Sequence, residues 1–195
     1  MKTRERDGAD LMWSAEAFTA RKAAMRTARG YFAETVDGEA AANNGGAMAT
    51  GTLYSASIGL TKGDLVTALD VAVQTVAAGL TLWKAALADR NGLALAVSAE
   101  QSALVTASIG KKPLPLLANY RVTDDDLYQV FMLSVGTTGP ALRGGSGQTG
   151  SGIGAARTGF STLYGVLNGQ TDIVVGTTYV VAPSSAAQLA WAGLY

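Results

Sequence analysis

Short apolar runs separated by turn residues constrain the fold of this chain more than any other feature of its sequence. After Thr52 these runs recur at intervals of 8–15 residues, and turn sequences such as TKGD at 61–64 and DRNG at 89–92 separate them. A membrane-spanning helix needs about 20 consecutive apolar residues. No apolar run in this chain is that long, so no such helix is expected. Short strands at this spacing predict a mainly β fold, an antiparallel β-sandwich or jelly roll of about eight strands.

The individual runs indicate where the strands lie. Residues 53–60 place Tyr54, Ala56, Ile58 and Leu60 on one face. Residues 80–88 fit a helix or a strand by pattern, but the Asn91-Gly92 turn that follows favours a β-hairpin, since both residues tolerate positive φ. Residues 127–135 are almost continuously apolar, which predicts a strand buried on both faces. The other predicted strands are residues 65–73, 93–97, 104–109, 119–122, 162–166, 179–181 and 188–194.

The absence of cysteine and histidine excludes several classes of functional site. The chain contains neither residue, so disulfides, thiol nucleophiles, imidazole bases and the common zinc sites are ruled out. Only 15% of the residues are charged, against about 25% in typical soluble domains. Such a low fraction of charged residues is typical of a chain with many tight turns or with a surface that is buried in an assembly. Its formal net charge of zero gives no basis for nucleic-acid binding.

The charges nevertheless divide the chain into two unlike parts. Residues 1–30 hold seven basic and four acidic residues, a net of +3, so residues 31–195 hold eight and eleven, a net of −3. We predict an N-terminal arm over residues 1–38, helical or extended, a small polar linker over 39–51, and a β-domain over 52–195. The charged residues 1–10 are not expected to form a signal peptide.

The arm carries the residues predicted to bind a partner. Basic side chains recur at helical spacing near its end, and apolar side chains that a lone segment cannot bury precede them. The candidate partner-binding residues are Met12, Trp13, Phe18, Arg21, Lys22, Met25, Arg26 and Arg29. A protein partner is favoured over DNA, because no aromatic residue is interleaved with the basic ones after Phe18.

Three motifs suggest chemistry, and a structural interpretation is favoured for each. Residues 145–150 match GxGxxG, but no helix is expected after them, so we predict a flexible loop over 144–154. Ser108 and Lys111 have SxxK spacing, yet Gly110 and Pro113 favour a turn with two solvated lysines. The run of aspartates at 124–126 could attract a cation, but it is also ordinary turn chemistry. No metal and no cofactor is predicted.

Aromatic and acidic residues on the strands leave two further functions to weigh. Trp83, Trp191, Tyr128, Phe131 and Tyr195 lie in strand-like runs, where core packing is favoured over a sugar-binding platform. A carboxylate-based glycosidase needs two acidic groups facing one cleft. Acidic residues on predicted strands are few, Asp70 among them, and this disfavours an enzyme.

The β-domain resembles a known class of viral modules over residues 50–195. The segments that carry the resemblance are GTLY at 51–54, VTAL at 66–69, LWKAALAD at 82–89, NGLALA at 91–96, YRV at 120–122, VGTT at 135–138, PALRG at 140–144, GQTD at 169–172 and AWAGLY at 190–195. In this order they resemble the β-sandwich modules of head-fibre, capsid-decoration and tail-fibre-like proteins of tailed bacteriophages.

The resemblance implies a non-enzymatic structural protein of the virion. Such modules commonly form homotrimers on the capsid, which gives as expected partners other copies of the chain and the major capsid protein or other virion proteins. We therefore expect a capsid decoration or head-fibre protein attached through its arm. The alternative is a receptor- or carbohydrate-binding module of a tail fibre or baseplate, whose partner is a host surface glycan. Neither membrane nor nucleic acid is an expected partner.

Overall fold

Antiparallel strands form nearly all of the regular structure in the computed structural model. It describes residues 31, 33–34, 41–42, 47–145, 164–183, 189–190 and 192–195. In chain order the elements are β1 (Ala33–Glu34), β2 (Ala41–Ala42), β3 (Thr52–Leu60), β4 (Leu65–Thr75), β5 (Ala78–Ala88), β6 (Ala94–Val97), α1 (Ser102–Ala107), β7 (Gly110–Arg121), β8 (Asp126–Thr138), β9 (Ala141–Leu142), β10 (Gly144–Gly145), β11 (Tyr164–Asn168), β12 (Ala182–Pro183), β13 (Leu189–Ala190) and β14 (Ala192–Leu194).

Two sheets face each other, which confirms the predicted mainly β, antiparallel sandwich. The five-stranded sheet has the order β1-β14-β4-β7, with β9 also paired to β4. The six-stranded sheet has the order β12-β11-β3-β8-β5-β6, and a small sheet joins β13, β10 and β2. Eight described strands have three or more residues, in agreement with the predicted number.

The main core lies between the two large sheets. Each sheet contributes alternate residues of its strands, as the two-residue period of a β-strand requires. Members from the six-stranded sheet include Ile58, Trp83 and Met132, and members from the five-stranded sheet include Leu69, Leu114 and Leu194. The strand β8 is buried from Tyr128 to Ser134, which confirms the prediction for its apolar run.

The outer face of the six-stranded sheet is also buried, which the sequence predicted for β8 but not for β3. Ile58 and Leu60 enter the main core as expected, but Leu53 on the opposite face of β3 is fully buried as well. Residues 169–181, which we call the covering segment, lie over this face. Their side chains Ile173 and Tyr179 form a second core with it.

The β5–β6 hairpin was predicted correctly, and the structure decides the open choice at 80–88 in favour of a strand. The two strands pair antiparallel. The Asp89 side chain accepts hydrogen bonds from the N–H groups of Asn91 (2.9 Å) and Leu93 (2.8 Å), which closes the turn. Gly92 has a φ of 86°, the positive-φ conformation that the Asn91-Gly92 turn predicts.

Two strand predictions were wrong. Residues 104–109 were predicted as a strand, but most of them lie in α1, where the Thr106 hydroxyl donates to the Ser102 carbonyl at 3.0 Å. Val105 is the single buried residue of that helix. An apolar run this short fits a helix or a strand equally well, so its pattern could not distinguish the two. Residues 179–181 form no strand, because Tyr179 instead donates its N–H to the carbonyl of Gly92.

Part of the predicted arm and linker contacts the body of the molecule. Tyr31 and Ala33, within the predicted arm, are buried. Within the predicted linker, Ala41 and Ala42 form β2 and Met48 packs into the main core. The boundaries at 38 and 51 themselves stay predictions.

Candidate functional site

The partner-binding residues predicted on the arm lie outside the described residues. These are Met12, Trp13, Phe18, Arg21, Lys22, Met25, Arg26 and Arg29. The structure describes instead the point at which the arm reaches the β-domain. This point is Tyr31, and only 4% of its surface is exposed.

Tyr31 is bound on the outer face of the five-stranded sheet. Its hydroxyl donates a hydrogen bond to Oδ2 of Asp70, and the hydroxyl of Tyr195 donates to Oδ1 of the same carboxylate at 3.0 Å. Asp70 is consequently only 7% exposed although it lies on an outer face. We call Asp70, Ala72, Lys111, Gly193 and Tyr195 together the Tyr31 site.

The register of three strands brings the members of the Tyr31 site together. On β4, Asp70 is paired with Gly193 of β14, and Ala72 is paired with Lys111 of β7. Side chains two residues apart on a strand share a face, so Asp70 and Ala72 both point outward while Leu69 and Val71 enter the core.

Gly193 allows the aromatic ring to approach the sheet. A Cβ atom at this position would lie 2.7 Å from Cδ1 of Tyr31, closer than carbon atoms approach each other. The ring of Tyr195 packs beside that of Tyr31 with centroids 5.8 Å apart and planes inclined by 45°. Gly193 of β14 and Tyr195, the residue directly after that strand, therefore form the floor and one wall of the site.

Lys111 and Asp70 give the Tyr31 site its electrostatics. The Lys111 ammonium donates to the Tyr31 hydroxyl at 3.0 Å and lies 4.7 Å from the ring centroid. Burial, followed by the hydrogen bond to Asp70 and its negative charge, raises the pKa of Tyr195 to about 12. The Asp70 carboxylate accepts hydrogen bonds from two phenol hydroxyls, and the Lys111 ammonium lies beside one of them. Hydrogen bonds to charged groups are stronger than those between neutral groups, so this arrangement can hold a tyrosine side chain in one orientation.

Sequence reasoning noted Asp70 only as a candidate glycosidase carboxylate. In the structure both of its oxygens accept hydrogen bonds from tyrosine hydroxyls and the residue is 7% exposed, so it does not face an open cleft. One signal in the sequence could have indicated the site. An aspartate inside an otherwise apolar strand needs a polar partner if it is buried.

The covering segment is held on its sheet by an ion pair near one end and by aromatic packing near the other. Lys84 forms an ion pair with Asp172 at 2.7 Å, and its side chain is 17% exposed. At the other end, Tyr179 packs edge-on against Phe131 with centroids 5.8 Å apart. The hydroxyl of Tyr179 also accepts the N–H of Val174 at 2.9 Å. The opposite side of the segment exposes Val174, Val175 and Val180.

The motifs noted in the sequence have structural roles where they are described. Only Gly145 of the GxGxxG match is described, at the end of β10. The SxxK prediction of two solvated lysines was wrong, because Lys112 is 6% exposed and donates to the Ser108 hydroxyl at 2.6 Å. Asp125 accepts the N–H of Lys62 at 2.6 Å, a contact between residues 63 positions apart. The described residues contain no group of three acidic side chains placed to hold a metal ion.

Three of the aromatic residues considered for a sugar platform pack inward, whereas Tyr195 lies at the Tyr31 site on the outer face of the five-stranded sheet. Trp83 and Phe131 are fully buried and Tyr128 is 4% exposed, which confirms core packing for these three. Trp191 lies outside the described residues. The indole N–H of Trp83 and the hydroxyl of Ser134 are buried with no hydrogen-bond partner among the residues that the structure describes.

No family of known proteins matches this chain, and neither does any curated protein or solved structure. In the described part of the chain, no helix has the length and apolar character needed to cross a membrane.

Proposed function

We propose that this chain is a non-enzymatic structural protein of a tailed-bacteriophage virion, a capsid decoration or head-fibre protein attached through its N-terminal arm. The observation that carries the proposal is the binding of Tyr31 to Asp70. This bond holds one residue of the predicted arm against β4, which supports an arm that leaves the β-domain from this point. A fixed point of departure lets an arm orient the domain to which it is joined.

The charge distribution supports a protein surface as the arm's partner. Residues 1–30 have a net charge of +3 and the rest of the chain −3. Arg21, Lys22, Arg26 and Arg29 would contact an acidic surface of the major capsid protein or another virion protein, and Met12, Trp13 and Phe18 would anchor the arm in apolar pockets. The proposed location is the virion, after assembly in the host cytoplasm.

Incorporation into particles tests this proposal. The four basic residues Arg21, Lys22, Arg26 and Arg29 are replaced by glutamine, and the copy number per purified particle is measured by quantitative mass spectrometry. We expect incorporation to fall at least tenfold, with the melting temperature unchanged. The matched control replaces Lys62, which is exposed on the β3–β4 turn, by glutamine and should incorporate normally. Full incorporation of the four-residue variant would overturn the proposed role of the arm.

The alternative function is a receptor- or carbohydrate-binding module of a tail fibre or baseplate. This function would use exposed aromatic residues to bind a sugar, and Trp83 and Trp191 are the tryptophans considered for that role. Trp83 is fully buried, so it cannot serve as an exposed platform. The location of the protein distinguishes the two functions. Many copies distributed over the head support decoration, whereas a few copies at the tail support receptor binding.

A further inference from the structure

Asn91 and Gly92 form one of two asparagine–glycine pairs among the described residues, and Asn168 and Gly169 form the other. In such a pair the main-chain nitrogen of the glycine attacks the side-chain carbonyl carbon of the asparagine. The C–N bond of the carboxamide breaks, ammonia leaves with the proton of the attacking N–H, and a succinimide ring forms. Water then opens this ring to aspartate or isoaspartate. Glycine favours the reaction because it has no side chain to obstruct ring closure.

The side chain of Asn91 is not restrained by hydrogen bonds. Asn91 is exposed, and in the part of the chain that the structure describes its carboxamide makes no hydrogen bond. The turn is held by its main chain, since the N–H of Gly92 donates to the carbonyl of Asp89 at 3.1 Å, near the long end of the range for such bonds. This bond and the burial of Gly92 slow ring closure relative to an unstructured peptide. They leave the carboxamide free to rotate toward the nitrogen.

Asn168 is restrained at the carboxamide itself. Its Oδ1 accepts the hydroxyl of Thr52 at 2.9 Å, and its main-chain carbonyl accepts the side-chain N–H of Gln170 at 3.0 Å. Asn168 also pairs with Thr52 in the ladder between β3 and β11. Both its side chain and its main chain must leave these contacts before its carboxamide carbon reaches the nitrogen of Gly169. The two pairs therefore share a sequence but differ in how the fold restrains them.

We propose that Asn91 is a site of spontaneous modification, and that its conversion to isoaspartate releases one end of the covering segment. Isoaspartate routes the main chain through the former side chain, which adds one carbon atom to the turn and displaces Gly92. Gly92 lies so close to the covering segment that a Cβ atom there would be 2.2 Å from the carbonyl oxygen of Tyr179. Its displacement breaks the hydrogen bond of 2.9 Å that the N–H of Tyr179 donates to it. This inference does not depend on the proposed function.

Ageing of the full chain tests the proposal. The protein is incubated at neutral pH and physiological temperature, and mass spectrometry with electron-transfer fragmentation identifies isoaspartate at Asn91 and Asn168. A synthetic peptide of residues 87–96 gives the rate without the fold. We expect Asn91 to convert more slowly than the peptide but at least about fivefold faster than Asn168, the ratio that corresponds to one hydrogen bond of ordinary strength. Equal rates at the two asparagines, or no conversion of Asn91 after the peptide has converted, would overturn the proposal.

Thr52→Val is the matched variant for the restrained asparagine. It removes the hydroxyl that donates to Oδ1 of Asn168 and keeps a side chain of similar size. Conversion of Asn168 should rise by about fivefold, while conversion of Asn91 should not change. An unchanged rate at Asn168, or an equal rise at both positions, would show that hydrogen bonding of the carboxamide does not control the reaction and would contradict the proposal.

Hydrogen exchange measures the effect on the covering segment. The N–H of Tyr179 should exchange faster in aged wild-type protein, in proportion to its content of isoaspartate at position 91. Asn91→Gln is the control, because the longer side chain closes a larger and less favourable ring, and its exchange at Tyr179 should not change with age. Exchange at Tyr179 that stays constant while Asn91 converts would contradict the release of the segment.

Discussion

Asp70 illustrates how one residue joins distant parts of the chain. It lies on β4 among apolar neighbours and accepts hydrogen bonds from the hydroxyls of Tyr31 and Tyr195. A buried carboxylate without such partners is strongly unfavourable, so the two tyrosines and the aspartate stabilise one another's positions. This mutual dependence can be measured by removing the acceptor.

Replacement of Asp70 by alanine is expected to destabilise the protein. The two tyrosine hydroxyls lose their acceptor in a largely buried site, which should lower the free energy of unfolding by about 2 kcal/mol. Chemical denaturation measures the change. Asp124→Ala, at an exposed aspartate, is the matched control and should change stability by less than about 0.5 kcal/mol. Equal effects of the two substitutions would contradict the structural role of Asp70.

The pKa of Tyr195 predicts a loss of stability at alkaline pH. Its pKa is about 12 in the folded chain, against an ordinary value of 10.0. A folded-state pKa above the unfolded one means that the contribution is complete below about pH 10 and is lost as the pH rises to about 12. The stability difference between wild type and Tyr195→Phe, followed by denaturation at increasing pH, should shrink over this window. A constant difference would contradict the prediction.

At the scale of the elements, the covering segment and the β5–β6 hairpin depend on the same glycine. Gly92 adopts a φ of 86° in the turn, and a Cβ atom there would lie 2.2 Å from the carbonyl oxygen of Tyr179. Its N–H and C=O groups serve both elements, since Gly92 donates to Asp89 and accepts from Tyr179. The hairpin turn thus also positions one end of the covering segment.

Comparison of two glycine substitutions isolates this contact. Gly63 has a similar φ of 95°, but a Cβ atom there has nothing within 4 Å. Gly63→Ala should cost about 1 kcal/mol from backbone strain alone. Gly92→Ala should cost about 2 kcal/mol more, because the covering segment must move away. Thermal or chemical denaturation measures both, and hydrogen exchange at Tyr179 should accelerate only in Gly92→Ala. Equal costs would show that the segment does not depend on this approach.

At the scale of the whole molecule, the predicted arm contacts the β-domain at the Tyr31 site. Tyr31 and Ala33 are buried, so a shortened chain that lacks them exposes Gly193, Ala72 and part of the main core. We therefore expect the stability of the β-domain to depend on Tyr31 and Ala33.

Two truncations test this dependence. Deletion of residues 1–30 should leave the melting temperature unchanged, because the Tyr31 site stays occupied. Deletion of residues 1–38 should lower it by at least about 4 °C, since it removes Tyr31 and its hydrogen bonds. Differential scanning calorimetry measures both. A fall of equal size in the shorter deletion would place stabilising contacts before Tyr31, and no fall in the longer one would contradict the importance of the site.

The sequence by itself determined the features that depend on neighbouring residues. Alternation of apolar residues in β3 and the turn around Gly92 indicated strands and a hairpin, because a period of two and a positive φ are local properties. A run as short as residues 104–109 carries too little local information, and there the prediction was wrong.

Only the tertiary structure decided which distant residues meet. Asp70 and Tyr195 are 125 positions apart, and nothing in the local sequence around either residue specifies that the two lie on the same face of the sheet. Burial of Leu53 likewise depends on the covering segment, more than a hundred positions later along the chain. The division of net charge between arm and β-domain was visible in the sequence. The place where the arm is held was not, because it is formed by the pairing of β4, β7 and β14.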